Sequence, residues 1–408
     1  MKNNKTGGST AKILYFNPSN ELYGADRSLL RLVKGVDPAH FQPLVILPKD
    51  ISYEGLLTNE LEKNKIEYRE LQISVLRRRY FSFFGMFLFI YRTIISTVQL
   101  VWLCHKENIK LIHTNSTAVL VGGLVARITR IPHVWHVREI IVRPEWLNKF
   151  ITFLLYYLAD TIVAVSNPVK ENLVKAVPKI EMKTIVVHNG LELNRFSNLN
   201  QSAVNEIKSS WNIPTNSQII GMIGRFSTWK GQAYFVESVS QLLREQHDLH
   251  AVMVGGDVPG ETRHRETVLK QIEQLQLNDR IHIKPFSLNI PNILNSFDVF
   301  VLPSTLPDPF PTVVLEAMAA SCPIVATAHG GALEQVVDGT TGFLVSHKKS
   351  KEMYNALNKL IKNNNLRIKM GKAGRNRLEK FFTVNVYVKN IMKIYTDLLN
   401  LNSKEILK

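Results

Sequence analysis

The sequence predicts an α/β protein built from two doubly wound parallel-sheet domains. Three observations predict it. Short β-branched runs alternate with longer helical patterns from end to end of the 408 residues. The runs are almost continuously apolar, as strands covered on both faces must be. They fall into two successive series, and the chain exceeds a single core of roughly 150–200 residues.

Taken in order, the first series of strands is "KILYF" (12–16), "LVIL" (44–47), "LIHT" (111–114), "HVWHV" (133–137), "TIVAVS" (161–166) and "TIVVHNG" (184–190). The second is "IIGMIG" (219–224), "HAVMVGG" (250–256), "RIHIKP" (280–285), "VFVLPS" (299–304), "PIVAT" (323–327) and "GFLVS" (342–346). The polar segment "NRFSNLNQS", Asn194 to Ser202, is the expected join. Domains are therefore expected at residues 1–195 and 196–380, with a C-terminal helix in 381–408 packing back on the first domain. Open parallel sheets bind ligands beyond the carboxyl ends of their strands. The chemistry is expected in the loops there, in a cleft between the domains.

Composition narrows the class. With 45% hydrophobic and 21% charged residues the chain reads as globular and soluble. The cysteines, Cys104 and Cys322, are far apart and belong to no CxxC or Cys/His cluster, which disfavours a disulfide scaffold or zinc site and fits a reducing cytosol. Residues 1–10 are polar and show no secretory signal. A net charge of +16 suits an anionic partner: nucleic acid, a phosphorylated substrate or an acidic membrane face.

One segment disturbs the alternation. "RRRYFSFFGMFLFIYRTIISTVQLVWL", Arg77 to Leu103, holds nearly enough apolar residues to span a bilayer. Phe84, Leu88, Tyr91, Ile95, Val98 and Trp102 form one helical stripe, with Arg92, Ser96 and Gln99 on another face. Arg77, Arg78 and Arg79 abut its start. Three readings follow: a helix buried against the core, an interfacial helix on an anionic leaflet, or a true span. A span is awkward, because the strands on either side should join one sheet.

Four stretches carry chemistry. In "MIGRFSTWKGQAYFVESV" (222–239), Gly224 allows a tight turn, and Arg225 and Lys230 flank a helix start where an anion is favoured. It is not a P-loop, since GxxxxGK[ST] is absent. In "LPSTLPDPFPTVVLEAMAASCP" (302–323), Asp308 stands among prolines and Glu316 lies eight residues on, expected near a helix start whose N–H dipoles favour an anion. "ATAHGGALEQVVDGTTGFLV" (326–345) places Gly330 and Gly331 before a helix with Glu334 in its first turn. "PHVWHVREII" (132–141) ends a strand with His136, Arg138 and Glu139; a histidine there is either structural or functional, and nothing supports a metal. No Asp-x-Asp occurs, and GxGxxG is missing after the first strand.

Together these stretches resemble the retaining GT-B glycosyltransferases of family 4, glycosyl transferases group 1, the bacterial group that builds capsule, lipopolysaccharide and other glycans. "GRFSTWKG" resembles the family's Arg-x4-Lys phosphate motif, and residues 298–345 its E-x7-E block with the glycine pair following. "LYGADRSLL", "IHTNS", "PHVWHVREI", "VAVS" and "VVHNG" match more loosely, in the right order. The resemblance implies a GT-B fold, with acceptor and nucleotide-sugar domains. Arg225 and Lys230 would hold the donor diphosphate, Glu316 the ribose hydroxyls, and Asp308 the transferred sugar. His136 would lie beside that sugar, Gly24 near the phosphates and acceptor, and backbone around Lys284 to Phe286 at the nucleobase. Gly330 and Gly331 complete the donor site. No metal and no cofactor are implied beyond the donor, and no nucleic acid is expected.

Three positions depart from the family pattern. Asp308 stands where glutamate is commoner, Ser321 where glycine is usual, and Pro285 where glycine often precedes the nucleobase loop. The expected function is transfer of a hexose from a UDP- or GDP-sugar to a glycan or lipid-linked acceptor, on the cytoplasmic face of the membrane. The alternatives are another GT-B enzyme, such as a nucleotide-sugar epimerase, or a basic membrane-associated binding module without activity.

Overall fold

The apolar runs become central strands because their branched side chains pack on both faces of a pleated surface while the backbone finds its hydrogen bonds in the neighbouring strands. The computed structural model describes residues 10–77, 80–196, 200–257 and 261–401. Two units result: Met1–Gly190 together with Val384–Lys408, and Leu191–Thr383.

The first unit runs β1 (Ala11–Phe16), α1 (Gly24–Gly35), β2 (Phe41–Pro48), α2 (Leu56–Lys63), β3 (Glu67–Leu71), α3 (Phe83–Lys106) and β4 (Leu111–Asn115). It continues α4 (Val121–Thr129), β5 (His133–Val137), α5 (Glu145–Leu158), β6 (Thr161–Ala164), α6 (Asn167–Ala176) and β7 (Thr184–Val186). Its sheet is parallel throughout, in the order β3-β2-β1-β4-β5-β6-β7. Strand order turns back between β1 and β4, so the β1 and β4 loops diverge and leave room for a ligand at their carboxyl ends.

The second unit holds α7 (Gln201–Ser210), β8 (Gln218–Ile223), α8 (Gln232–Glu245), β9 (Leu249–Val254), α9 (Arg263–Gln274), β10 (Ile281–Lys284) and α10 (Ile290–Asn295). Then come β11 (Val299–Leu302), α11 (Thr312–Ala319), β12 (Ile324–Thr327), α12 (Ala332–Gln335), β13 (Gly342–Val345), α13 (Ser350–Ile361) and α14 (Asn364–Phe381). Its parallel sheet runs β10-β9-β8-β11-β12-β13, with the same reversal between β8 and β11. The last helix, α15 (Val384–Leu398), belongs to the first unit, where Tyr387, Ile391 and Tyr395 are buried with α1 and β1.

The Arg77–Leu103 segment departs most from amphipathic logic. In α3 part of the polar side turns inward, while Gln99 stays exposed: Ser96 is 1% exposed, and Ser96 and Thr97 return their hydroxyls to the carbonyls of Arg92 and Thr93. The apolar stripe faces out, with Phe84 83% and Val98 67% exposed. Leu100, Leu103 and Cys104 anchor the helix on α4 and β4. The reading as a buried helix therefore fails for the stripe. A span is excluded by topology, because β3 before α3 and β4 after it lie in one sheet. Arg78 and Arg79 lie outside the described residues.

Candidate active site

In the second unit, the sharp loops after β8, β11 and β12 converge. Gly231 caps α8 at φ +79°, and a side chain there would collide with the Pro303 carbonyl. This close approach presses the 228–231 turn against the loop after β11, where Thr305 N donates to Trp229 O (2.8 Å) and Thr305 Oγ1 to Thr228 O (2.8 Å). Lys230 Nζ consequently reaches the Asp308 carboxylate, and both side chains are largely buried. The ammonium also lies 4.2 Å from the centre of the Trp229 ring. Gly330, at φ +60°, lets the loop after β12 ride on the Asp308 backbone, so that Gly331 N donates to Asp308 O (2.8 Å). One acid, one ammonium and the glycine pair thus share a single place.

Arg225 belongs to the same turn. Its carbonyl accepts from Gln232 Nε2 (2.8 Å) in the first turn of α8. The following residue, Phe226, donates its N–H to Gly256 O (2.9 Å), and Phe286 lies against Gly256 with its ring 55% exposed. The Lys284 backbone joins this turn, but its side chain does not. Its carbonyl accepts from Gly255 N (3.0 Å), and its Nζ points to the Trp211 carbonyl (3.5 Å). Glu316 is buried in α11 but not in the first turn: it is the fifth residue of that helix, and Ala320 N donates to its carbonyl. The N-terminal dipole therefore does less for its charge than its expected position implied, since the effect fades beyond one turn.

The first unit assembles a second cluster around Arg138, at the carboxyl end of β5. This guanidinium is 8% exposed. It donates from Nε to Asn115 Oδ1 (2.5 Å), from Nη1 to Asn189 Oδ1 (2.6 Å), and from Nη2 to the Tyr387 hydroxyl (3.1 Å) and His136 Nδ1 (3.3 Å). A guanidinium only donates, so His136 Nδ1 accepts and its proton sits on Nε2. That Nε2 is buried and has no partner among the described residues. Burial, then the charge of Arg138 and the neighbouring His113 hold the His136 imidazole well below the ordinary value of 6.5, so it is neutral.

His133 contrasts with it. Its Nδ1 donates to Leu158 O (3.1 Å), Thr114 Oγ1 donates to its Nε2 (2.9 Å), and burial pushes it down to about 4. Of the two histidines on β5, His133 is structural and His136 is left with an unspent donor.

Gly24 opens α1 beside the same network. Asn115 Nδ2 donates to Asn17 Oδ1 (2.7 Å) and Ala25 O (3.3 Å), and Asn17 donates in turn to Asp26 Oδ1 (2.7 Å). Burial raises Asp26, while bonds from Ser19, Asn17 and the Tyr23 N–H oppose the rise. Among the described residues, no three His, Cys, Asp or Glu side chains group as a metal site would need.

The sequence reading singled out Arg138 without its partners and passed over Asn115, Asn189 and His329. Their signal was position alone: Asn115 ends β4, Asn189 follows β7 by three residues just before Gly190, and His329 precedes the glycine pair. His329 Nε2 donates to Ser304 O (2.8 Å), leaving a buried Nδ1 lone pair one residue before Gly330.

Comparison with known proteins decides the family. The family described as Glycosyltransferase Family 4 matches residues 23–195, and that described as Glycosyl transferases group 1 matches residues 203–377. The chain belongs to the group 1 glycosyltransferases. The "Capsular polysaccharide biosynthesis glycosyltransferase CapM" of Staphylococcus aureus is 26% identical over 321 residues, 74% of this glycosyltransferase and 81% of CapM. An Escherichia coli "UDP-Gal:alpha-D-GlcNAc-diphosphoundecaprenol alpha-1,3-galactosyltransferase" is 26% identical over 316 residues, 74% of this chain and 79% of that protein. Anabaena Alr3699/HepE, solved in complex with UDP and glucose, superposes with a TM-score of 0.81 at 24% identity, covering 95% of this chain and 99% of its own. That likeness establishes the GT-B fold of this glycosyltransferase, two parallel-sheet α/β units.

Proposed function

We propose that this glycosyltransferase moves a hexose from a UDP- or GDP-sugar to a glycan or lipid-linked acceptor in cell-surface polysaccharide synthesis, with retention of anomeric configuration. The observation that carries the reading is the Lys230–Asp308 pair against the Gly330–Gly331 turn. It sets a cation for a leaving diphosphate next to an acid for a sugar hydroxyl. The named activity of the Escherichia coli relative, with a UDP-sugar donor and a diphosphoundecaprenol-linked acceptor, supports the same substrate classes.

In this reading the bond between sugar C1 and the diphosphate oxygen breaks while the acceptor oxygen bonds to C1 on the same face. The acceptor proton passes to the leaving diphosphate. Arg225 and Lys230 stabilise the charge that develops there, as preorganised cations in a partly dry site do most effectively. Asp308 orients the sugar and Glu316 holds the ribose. His136, neutral with its proton on Nε2, serves as a hydrogen-bond donor rather than a base. The enzyme works without a metal or cofactor, on the cytoplasmic face of the membrane.

Product NMR tests the stereochemistry, and turnover in EDTA tests the metal. An inverted product, or activity abolished by EDTA and restored by a divalent cation, refutes the mechanism. Glu316→Ala should lose nucleotide binding in a thermal-shift panel of UDP-, GDP- and ADP-sugars. Asp308→Ala should keep nucleotide binding but lose turnover by about a hundredfold. If donor alone yields an altered free sugar, the enzyme is an epimerase.

A further inference from the structure

We propose that the outer face of α3, α4 and α5 is a docking surface for an anionic lipid bilayer, lying in the plane of the headgroup boundary. The three helices form one layer over the same side of the first sheet, with α4 between the other two. From α3, Phe83, Phe84, Phe87, Tyr91, Val98 and Trp102 are exposed. From α5, Trp146, Phe150, Phe153 and Tyr157 recur at helical spacing on the solvent side, and Ile128 of α4 lies in between. A monomeric soluble protein rarely exposes so many large apolar side chains on neighbouring helices.

The outward stripe of α3 makes the case specific. An ordinary surface helix buries its apolar residues and exposes its polar ones; α3 buries Leu100, Leu103 and Cys104 but also Ser96 and Thr97, whose hydroxyls bond its own backbone, and leaves a second apolar stripe facing out. Hydrocarbon outside the helix rationalises that arrangement and water does not. Tryptophans and tyrosines border the face, as they do where protein meets headgroups.

Charge selects the occupant. Residues 81–158 carry eight lysines and arginines, of which Arg138 is buried in its own network, against three carboxylates. Of those acids, Glu107 is paired with Lys12 and Arg69, and Glu139 is bonded to Ser116 and Thr117. Arg127, Arg130, Arg143 and Lys149 are exposed on or beside the same helices, and Lys106 lies 4.7 Å from the centre of the Trp102 ring. A second copy of this chain would bring like charges together, whereas an anionic leaflet complements them. Arg77 takes no part, because its guanidinium is spent on Asp50, the Pro18 carbonyl and Tyr53. The surface rests on the proposed activity only for its purpose, bringing the enzyme to a lipid-linked acceptor.

Flotation of the full chain with phosphatidylcholine vesicles, with and without phosphatidylglycerol, tests the surface. The experiment contains no nucleotide sugar or acceptor, so its failure leaves the activity assignment standing. The protein should float with the anionic vesicles, less so in high salt. Combined Phe84→Ser, Phe87→Ser, Trp146→Ser and Phe150→Ser should weaken binding at least about tenfold with melting temperature and UDP-sugar binding unchanged. Combined Arg127→Gln, Arg130→Gln, Arg143→Gln and Lys149→Gln should abolish the preference for anionic lipid. Failure of the wild type to float, or flotation of the serine variant like the wild type, overturns the proposal. A wild-type dimer in light scattering that the serine substitutions convert to a monomer also overturns it, assigning the face to self-association.

Discussion

Arg138 brings a full positive charge into the first unit and meets only neutral acceptors there: two asparagines, a tyrosine and an imidazole. Such a charge is costly unless every donor is used. Its return is orientation, since it fixes the His136 tautomer and disfavours the imidazolium. The groups facing His136 besides Arg138 are His113 from β4 and Tyr387 from α15. Removing a nearby cation makes protonation easier, so Arg138→Met should raise the His136 pKa and move the acidic limb of the kcat profile to higher pH. Arg138→Lys, which keeps the charge, should largely restore the limb. A merely structural role would lower kcat without moving the limb, and a pH–rate series separates the two. Ser321 is instructive in another way: it adopts φ +54° directly after α11, the conformation for which glycine is usual at this position. The departure from the family pattern is thus accommodated with a modest backbone strain rather than a different turn.

At the scale of elements, the loop carrying Gly330 is what aims Asp308. Gly330 and Gly339 both sit at positive φ, +60° and +70°, but a methyl on Gly330 would overlap the Asp308 backbone while one on Gly339 meets nothing within 4 Å. Gly339→Ala should therefore cost about 1 kcal/mol and leave turnover unchanged. Gly330→Ala should cost about 2–4 kcal/mol and reduce kcat/KM at least about tenfold, because overpacking displaces the acid. Thermal unfolding and steady-state kinetics of the two variants check this; equal kinetics would dissociate the turn from the site. Strand β3 shows where element reading fails. "EYREL" is an edge strand paired only with β2 and half-buried throughout, so it lacks the apolar run that betrayed its neighbours.

For the whole molecule, buried histidines make folding sensitive to acid. His113 and His136 are held well below 6.5 by burial first, and His133 is at about 4 for the same leading reason. In the unfolded chain each binds a proton near its ordinary value, so below that pH the unfolded state holds more protons than the folded one. Stability is accordingly lost as pH falls from 6.5, by about 1.4 kcal/mol per pH unit for each such histidine until it titrates in the fold. Melting temperature should drop steeply between pH 7 and pH 5, and a flat profile would contradict the burial.

Sequence alone determined the class of this protein. Parallel strands buried on both faces must be written in continuous apolar residues, and a tight strand-to-helix turn that presents cations must be written in glycine, arginine and lysine. Both the double α/β series and the Arg225, Lys230, Asp308 and Gly330 positions were therefore legible. Tertiary structure alone decided which groups are paired and which face outward. It joined Lys230 to Asp308, turned the Lys284 ammonium to Trp211, left the Nε2 donor of His136 without a partner among the described residues where His133 is satisfied, and turned Ser96 and Thr97 of α3 inward beneath an outward apolar stripe. Periodicity defines the two sides of a helix, but which side meets the core depends on the packing of α4 and the sheet beneath it.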